Sequence, residues 1–181
     1  MKEIAILMAA GLGNRMRPLT ETTPKPLIKV HGRAMIDTVI EGLLLRPVEE
    51  IYIVTGYLGK QFETLCGRYP QVRIVHNPDY LTKNNISSIY AAREVLGTAD
   101  CFICESDLYV ADPDIFKKEY AHILREEIEK AYAIEENGDL FWDEVVDRNL
   151  NKLKLTIEPV SEGQLVEIDT VEELERINES S

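Results

Sequence analysis

Residues 3–13, "EIAILMAAGLG", decide the fold. A nearly continuous apolar run that stops at Gly11 and Gly13 is the pattern of a strand buried on both faces of a parallel sheet. Working outward, "RAMIDTVIEGLLLRP" carries apolar residues at helical spacing and ends at Pro47, which predicts a helix from Met35 to Leu45. "EIYIVTG" (50–56) reads as a second strand, "LGKQFETLCGRY" (58–69) as a helix and "VRIVHNP" (72–78) as a third strand. "NNISSIYAAREVLG" (84–97) opens with a polar cap-like pair and closes at Gly97, so it reads as a helix. "CFICESD" (101–107) is a fourth strand that ends in carboxylates. This alternation predicts a right-handed, doubly wound α/β sheet.

The second half is less regular. Helical stretches are expected at "HILREEIEKAYA" (122–133) and "LFWDEVVDRNL" (140–150), strands at "KLKLTIEPV" (152–160) and "GQLVEIDT" (163–170), and a final helix at "TVEELERIN" (170–178). The chain has 181 residues, which suits one domain with a sizeable core.

In open α/β sheets, ligands bind in the crevice at the carboxyl ends of the strands. That rule brings Gly11 to Gly13, Thr55 to Tyr57, Asn77, and Glu105 to Asp107 to one edge. The formal net charge of −12 argues against a nucleic-acid polymer as partner, since its phosphates need a basic surface. The few clustered cations, Arg15, Arg17 and Lys25, must serve something small. A glycine loop between strand and helix lets backbone N–H groups approach phosphate oxygens, and those cations would add charge-assisted bonds to the same oxygens.

No apolar run approaches the roughly 20 residues that span a bilayer, so no membrane association is expected. Met1 to Glu3 runs straight into the first strand without a leader, so a cytoplasmic location is the expectation. Three cysteines in such a chain do not suggest a disulfide framework. Cys101 and Cys104 form a CxxC, but on a strand residues three apart face opposite sides, so buried filler is favoured over a metal site. His31, His76 and His122 stand isolated.

The string "LMAAGLGNRMRPLTETTPKPL" (7–27) resembles the signature of the nucleotidyltransferase superfamily, of the sugar-phosphate and MobA-like kind. These enzymes join a nucleoside triphosphate to a phosphorylated acceptor and release pyrophosphate. Gly11, Gly13, Arg15, Pro24, Lys25 and Pro26 fill its Gly-x-Gly-x-Arg and Pro-Lys-Pro positions. The spacing departs from the dinucleotide GxGxxG and from the Walker loop. "NPDYLTKNNISSIYAAR" and "DLFWDEVV" look most like the bacterial cytidylyltransferases that act on phosphocholine, and "ESDLYV" and "VEIDTVEEL" resemble the segments that supply metal-binding carboxylates.

The resemblance implies a Rossmann-like, three-layer α/β/α fold with a mostly parallel sheet. It implies Ala9, Ala10, Gly11, Gly13, Asn14, Arg15, Asn84, Asn85 and Ser87 around the nucleotide, CTP. Asp107 and Asp169 become the ligands of magnesium, and Lys25, Arg15 and Asp107 the catalytic group. Lys25, Tyr109, Trp142 and Asp143 are expected at the acceptor. An aromatic face beside carboxylates suits a quaternary ammonium and also a primary one.

Each residue has a plainer role open to it. Asp107 could cap a turn, Asp169 could serve the N-terminus of the last helix, Asn84 and Asn85 could cap theirs, and Trp142 could be core. The reaction expected first is CMP transfer from CTP to phosphocholine. 2-Aminoethylphosphonate, phosphoethanolamine, a polyol phosphate or a sugar 1-phosphate are alternative acceptors. An inactive nucleotide-binding module is the alternative of another class.

The likeness breaks in one place. Between "DPDIFKK" (112–118) and "REEIEKAY" (125–132) the superfamily has a few tens more residues. The expectation is a single domain over 1–181 in which two stretches of a longer chain are joined across a missing loop near 117–123.

Overall fold

A computed structural model describes residues 3–117, 125–150 and 160–180. At its centre lies a four-stranded parallel sheet made of β1 (Glu3–Ala9), β4 (Val48–Thr55), β5 (Val72–His76) and β6 (Asp100–Glu105), in the order β5-β4-β1-β6. β1 is the inner strand between β4 and β6, pairing Ala9 with Thr55 and Met8 with Glu105. A strand with parallel neighbours on both edges and helices on both faces must be apolar on both sides, and this one is.

Its alternating residues divide between two cores. Ala5, Leu7 and Ala9 face the side of α1 (Met35–Leu43) and α2 (Glu63–Arg68). Ile4, Ile6 and Met8 face α3 (Ile86–Ala91), α4 (Arg125–Tyr132) and α5 (Trp142–Asp147). The result is the three-layer α/β arrangement that the strand and helix alternation predicts. Cys104 lies against the first core and Cys101 in the second, as a strand's period of two requires. Burial pushes both thiols up to about 12, so neither is a thiolate at neutral pH.

The elements differ from expectation mainly at their ends. α1 stops at Leu43 rather than Leu45. The helix expected over 84–97 is regular only over Ile86–Ala91 and then loosens into turns, and the one over 58–69 begins as a 3-10 turn. Arg93 to Gly97 bring only Val95 and Leu96 to the core, so little apolar burial supports another helical turn. Residues 113–117 form a 3-10 turn.

Two small antiparallel pairs were not foreseen. β2 (Lys29–Val30) and β3 (Arg33–Ala34) close around His31 and Gly32, both at positive φ (48° and 81°), the conformation of a tight hairpin turn. β7 (Leu108–Val110) pairs with β8 (Leu165–Glu167). β8 is the strand expected over 163–170, shortened to three residues, whereas β2, β3 and β7 were not expected because strands of two or three residues leave no period to read. The last helix, α6 (Val171–Glu179), closes a third core of Met16, Val30, Met35, Ile168 and Leu174. The strand expected over 152–160 lies outside the described residues apart from Val160, and so does the junction near 117–123 beyond Lys117.

Candidate active site

The carboxyl ends of β1, β5 and β6 open into a cleft of about 340 Å³, a volume suited to a small ligand; Thr55 to Tyr57, at the end of β4, do not line it. One wall is the loop after β1. Gly13 stands at φ 63°, where L side chains are strained, and an added Cβ would lie 2.8 Å from Thr20 Cγ2 and 3.2 Å from Lys25 Cβ. The glycine therefore lets the loop close over the Lys25 side chain. A Cβ at Gly11 would meet nothing within 4 Å, since that position faces open space. Buried Thr20 donates to Gly13 O (2.9 Å), while Tyr57 and Gln61 donate to the carbonyls of Glu21 and Thr22. These bonds fasten the loop to the segment after β4.

Lys25 opens a 3-10 turn between two prolines and is only 8% exposed. Its Nζ lies 2.7 Å from Asp107 Oδ2 and 2.7 Å from Asp169 Oδ1. Arg15, whose side chain is 71% exposed, reaches the same Asp169 oxygen at 2.8 Å. Burial pulls the Lys25 ammonium down, but the Asp107 charge and hydrogen bond, joined by Asp169, outweigh it and hold Lys25 above its usual value.

The two carboxylates come from distant parts of the chain. Asp107 follows β6 and precedes β7, and Asp169 follows β8. The antiparallel register, Leu108 opposite Glu167, sets them at one end of the β7/β8 pair. Asp169 is not the cap of α6. Thr170 and Glu173 form a reciprocal capping box, with Glu173 N donating to Thr170 Oγ1 at 3.2 Å and Thr170 N donating to Glu173 Oε2 at 2.9 Å. The Asp169 carboxylate is thus left for the cleft.

The opposite wall runs from Asn77 to Ser88. Buried Asn77 donates to Ser87 Oγ (2.9 Å) and Ser88 Oγ (3.2 Å), and accepts from Asp79 N (2.9 Å). Tyr80 rests on Gly56, where an added Cβ would fall 2.5 Å from its ring. Asn84 and Asn85 both line the cleft, yet neither side chain caps α3. Asn84 Oδ1 accepts from Asn85 N (2.9 Å) and its Nδ2 donates to Asp139 O (3.2 Å), while Asn85 Oδ1 accepts the backbone N–H of Trp142 (2.9 Å).

On the floor, Ser106 Oγ donates to Met8 O, and Glu105 faces the cavity. Burial, then the Asp107 charge, push the Glu105 carboxyl up to about 7, against a hydrogen bond from the Trp142 side chain that pulls it down. Two carboxylates that converge on one cation 2.7 Å away are a fit donor set for a hard divalent ion.

A family model for the MobA-like NTP transferase domain matches residues 5–178. The chain belongs to that family. Among similar proteins, a 2-aminoethylphosphonate cytidylyltransferase of Lancefieldella rimae is 40% identical over 223 residues, covering 96% of this chain and 91% of the relative. A choline-phosphate cytidylyltransferase of Streptococcus pneumoniae is 30% identical, covering 97% and 96%. The solved structure of the CTP:phosphocholine cytidylyltransferase from Streptococcus pneumoniae superposes with a TM-score of 0.90 at 27% identity and 99% coverage of each chain.

As a nucleotidyltransferase of this family, the chain brings most of its expected residues together. Ala9, Ala10, Gly11, Gly13, Asn14, Arg15, Lys25, Asn84, Asn85, Ser87, Asp107 and Asp169 all line the one cleft. The aromatic set does not assemble in the same way. Trp142 and Asp143 stand behind the floor, near Glu105. Tyr109 instead packs in the third core, edge-on to His31 with ring centroids 5.8 Å apart. Tyr109 and Trp142 therefore do not flank one another in the cleft lining. Tyr80, Lys83 and Ser88 also line the cleft; they lie within the string 77–93 that carries the resemblance, but no role was assigned to them from sequence. They lie in the polar loop and the helix α3 that follow β5, on the crossover from β5 to β6.

Proposed function

We propose that this chain is a cytidylyltransferase that moves CMP from CTP onto a small acceptor bearing a phosphonate or phosphate and an ammonium group, releasing pyrophosphate. The observation that carries the reading is the meeting of Lys25, Arg15, Asp107 and Asp169 beside the glycine loop. The names of the two relatives support cytidine as the nucleoside, and the higher identity of the first favours 2-aminoethylphosphonate over phosphocholine. This reverses the order expected from sequence. Phosphocholine stays as a second reading because of the structural superposition.

The chemistry follows from charge. An already ionised acceptor oxygen attacks the α-phosphorus, the new P–O bond forms as the bond to the bridging oxygen breaks, and pyrophosphate leaves with that electron pair. No proton need move, so the protein's work is alignment and neutralisation. Arg15, exposed and tied among the described residues to Asp169, suits the leaving pyrophosphate. Lys25, anchored between prolines, suits the α-phosphate and the incoming oxygen. Asp107 and Asp169 would hold magnesium, which when bound supplies further neutralisation of the triphosphate. Glu105, backed by Trp142 and Asp143, is the group available to an acceptor ammonium.

The test is pyrophosphate release with each of four nucleoside triphosphates against a panel of acceptors. CTP with 2-aminoethylphosphonate should be turned over fastest, and Asp107→Ala should abolish it. Release with no acceptor, together with tight CTP binding, would establish the inactive module instead. The same reading includes an internal segment missing near 117–123. Its support is an alignment to the first relative over 223 residues, more than this chain's 181, which must open gaps. Sequencing the gene across this junction tests it: additional in-frame codons between positions 117 and 123 are expected, and a frame that runs straight through these positions with none would refute it.

A further inference from the structure

Lys83 stands at the edge of the cleft beside Asn84 and is far more constrained than a surface lysine ordinarily is. Its Nζ lies 3.8 Å from the centroid of the Tyr132 ring. The other face of that ring is covered by Tyr90, stacked at 3.7 Å and 5°, and the guanidinium of Arg93 lies 4.5 Å from the Tyr90 centroid. The four side chains form a column: Lys83, Tyr132, Tyr90, Arg93. The Tyr132 hydroxyl donates to Asp79 Oδ2, and Lys83 Nζ is 3.9 Å from the same oxygen. The Lys83 stem passes Gly138, where an added Cβ would lie 3.6 Å from Lys83 Cγ.

Holding a lysine in one place costs much of its rotamer entropy. A half-exposed ion pair at 3.9 Å gives back little of that. A cation over an aromatic face gives more, and it leaves N–H donors of the ammonium available to a ligand. The column joins α3, which carries Ser87 and Ser88 into the cleft, to α4, none of whose described residues lines it. Among the described residues, Tyr132 touches both Asp79 at the start of the loop and Lys83 near its end.

We propose that Lys83 donates to an oxygen of the nucleoside, a base carbonyl or a ribose hydroxyl, and that Tyr132 is the positioning residue that holds its ammonium at the cleft. This rests on the proposed cytidylyltransferase function, with Asn84 and Asn85 lying around the nucleotide.

Calorimetric titration of the full chain with CTP, with steady-state kinetics alongside, tests it. Lys83→Met and Tyr132→Leu should each weaken CTP binding about tenfold, the cost of one hydrogen bond to a charged donor. Tyr132→Phe keeps the ring and loses only the hydroxyl, and should weaken it about threefold. KM for CTP should follow these losses while kcat and the acceptor KM stay within about twofold, a split that general loosening of the fold would not give. The Lys83→Met/Tyr132→Leu double variant should bind no worse than the poorer single one. With 2′-deoxy-CTP and 3′-deoxy-CTP, a loss in Lys83→Met that is unchanged for both identifies the base carbonyl, and a loss that vanishes with either identifies that ribose hydroxyl.

Binding within twofold of the parent in Lys83→Met, or full additivity in the double variant, overturns the proposal. If another nucleotide binds in place of CTP, the cytidine reading fails, and the same variants measured with that nucleotide still decide this one. Absence of binding by all four overturns both.

Discussion

The two walls of the cleft reach a fixed geometry by opposite means. The first, Ala9 to Lys25, is set largely from within: a glycine at positive φ, a buried threonine bonded back to it, and a lysine between prolines. The second, Asn77 to Ser88, is set from outside. Its asparagines are tied to Asp139 and Trp142, and its middle rests on Gly56 and Tyr132. A wall that carries charge needs a short, stiff path from backbone to phosphate. A wall that frames a nucleoside, the role proposed for this one, can be positioned by a network, and then it answers to residues far from the chemistry.

The largest break in that contrast is expected at Lys25. Lys25→Met leaves Asp107 and Asp169 facing each other without their shared cation, and turnover should fall about 10²- to 10³-fold, as when a charge-stabilising donor is removed. Stability should fall by about 2 kcal/mol as well. The Lys25 ammonium is held above its usual value of 10.5, so its contribution is fully present below that pH and fades only as pH rises through the higher folded value. Thermal melts of parent and variant should therefore differ equally at pH 7 and pH 9.

Gly13→Ala sharpens the same side. Forcing a Cβ into a left-handed position 2.8 Å from Thr20 Cγ2 should cost roughly 1–2 kcal/mol. That corresponds to a melting-point loss of about 2–8 °C for a chain of this size. Because the same Cβ crowds Lys25, kcat should drop more than the stability change alone explains. Pre-steady-state turnover at a temperature well below the melt separates the two effects.

On the other wall, Asn85→Ala removes the acceptor of the Trp142 N–H, a bond worth about 1 kcal/mol. Trp142 is the only tryptophan, so its emission reports the change directly. KM for CTP and for the acceptor should rise together with little change in kcat. If kcat alone falls, the view of this wall as a frame is wrong.

The smallest effect is expected where capping and chemistry have been kept apart. Thr170→Ala removes the α6 cap and should cost about 1 kcal/mol while leaving kcat within about twofold. A large loss of activity would mean that Asp169 depends on the cap after all.

Much of the first wall was legible because its information is local. "GLGNR" and "PKP" state a loop that needs glycine and a lysine that must not move, and the apolar run before them states a doubly covered strand. The second wall was half legible. Asn84, Asn85 and Ser87 are conspicuous at the start of a helix, but Tyr80 and Lys83 look like ordinary loop residues until Gly56 and Tyr132 are brought beneath them. The aromatic group was assembled on chemistry alone, and the two-residue turn at His31 helps explain the outcome. It closes the β2/β3 hairpin and sets His31 against Tyr109, which belongs to a core shared with α6.

By itself the sequence determined the strand and helix alternation, the glycine loop, the lysine set between prolines and the edge of the sheet at which the cleft opens. These depend on period, backbone freedom and proline restraint, all of which act within a few residues. Only the tertiary structure decided that Asp107 and Asp169 meet on Lys25, that Thr170 rather than Asp169 caps α6, and that Lys83 is held by Tyr132. Each of those is a contact between residues distant in the chain, or the consequence of one. The order of the parallel strands and the β7/β8 register bring them together, and neither is written in any local pattern.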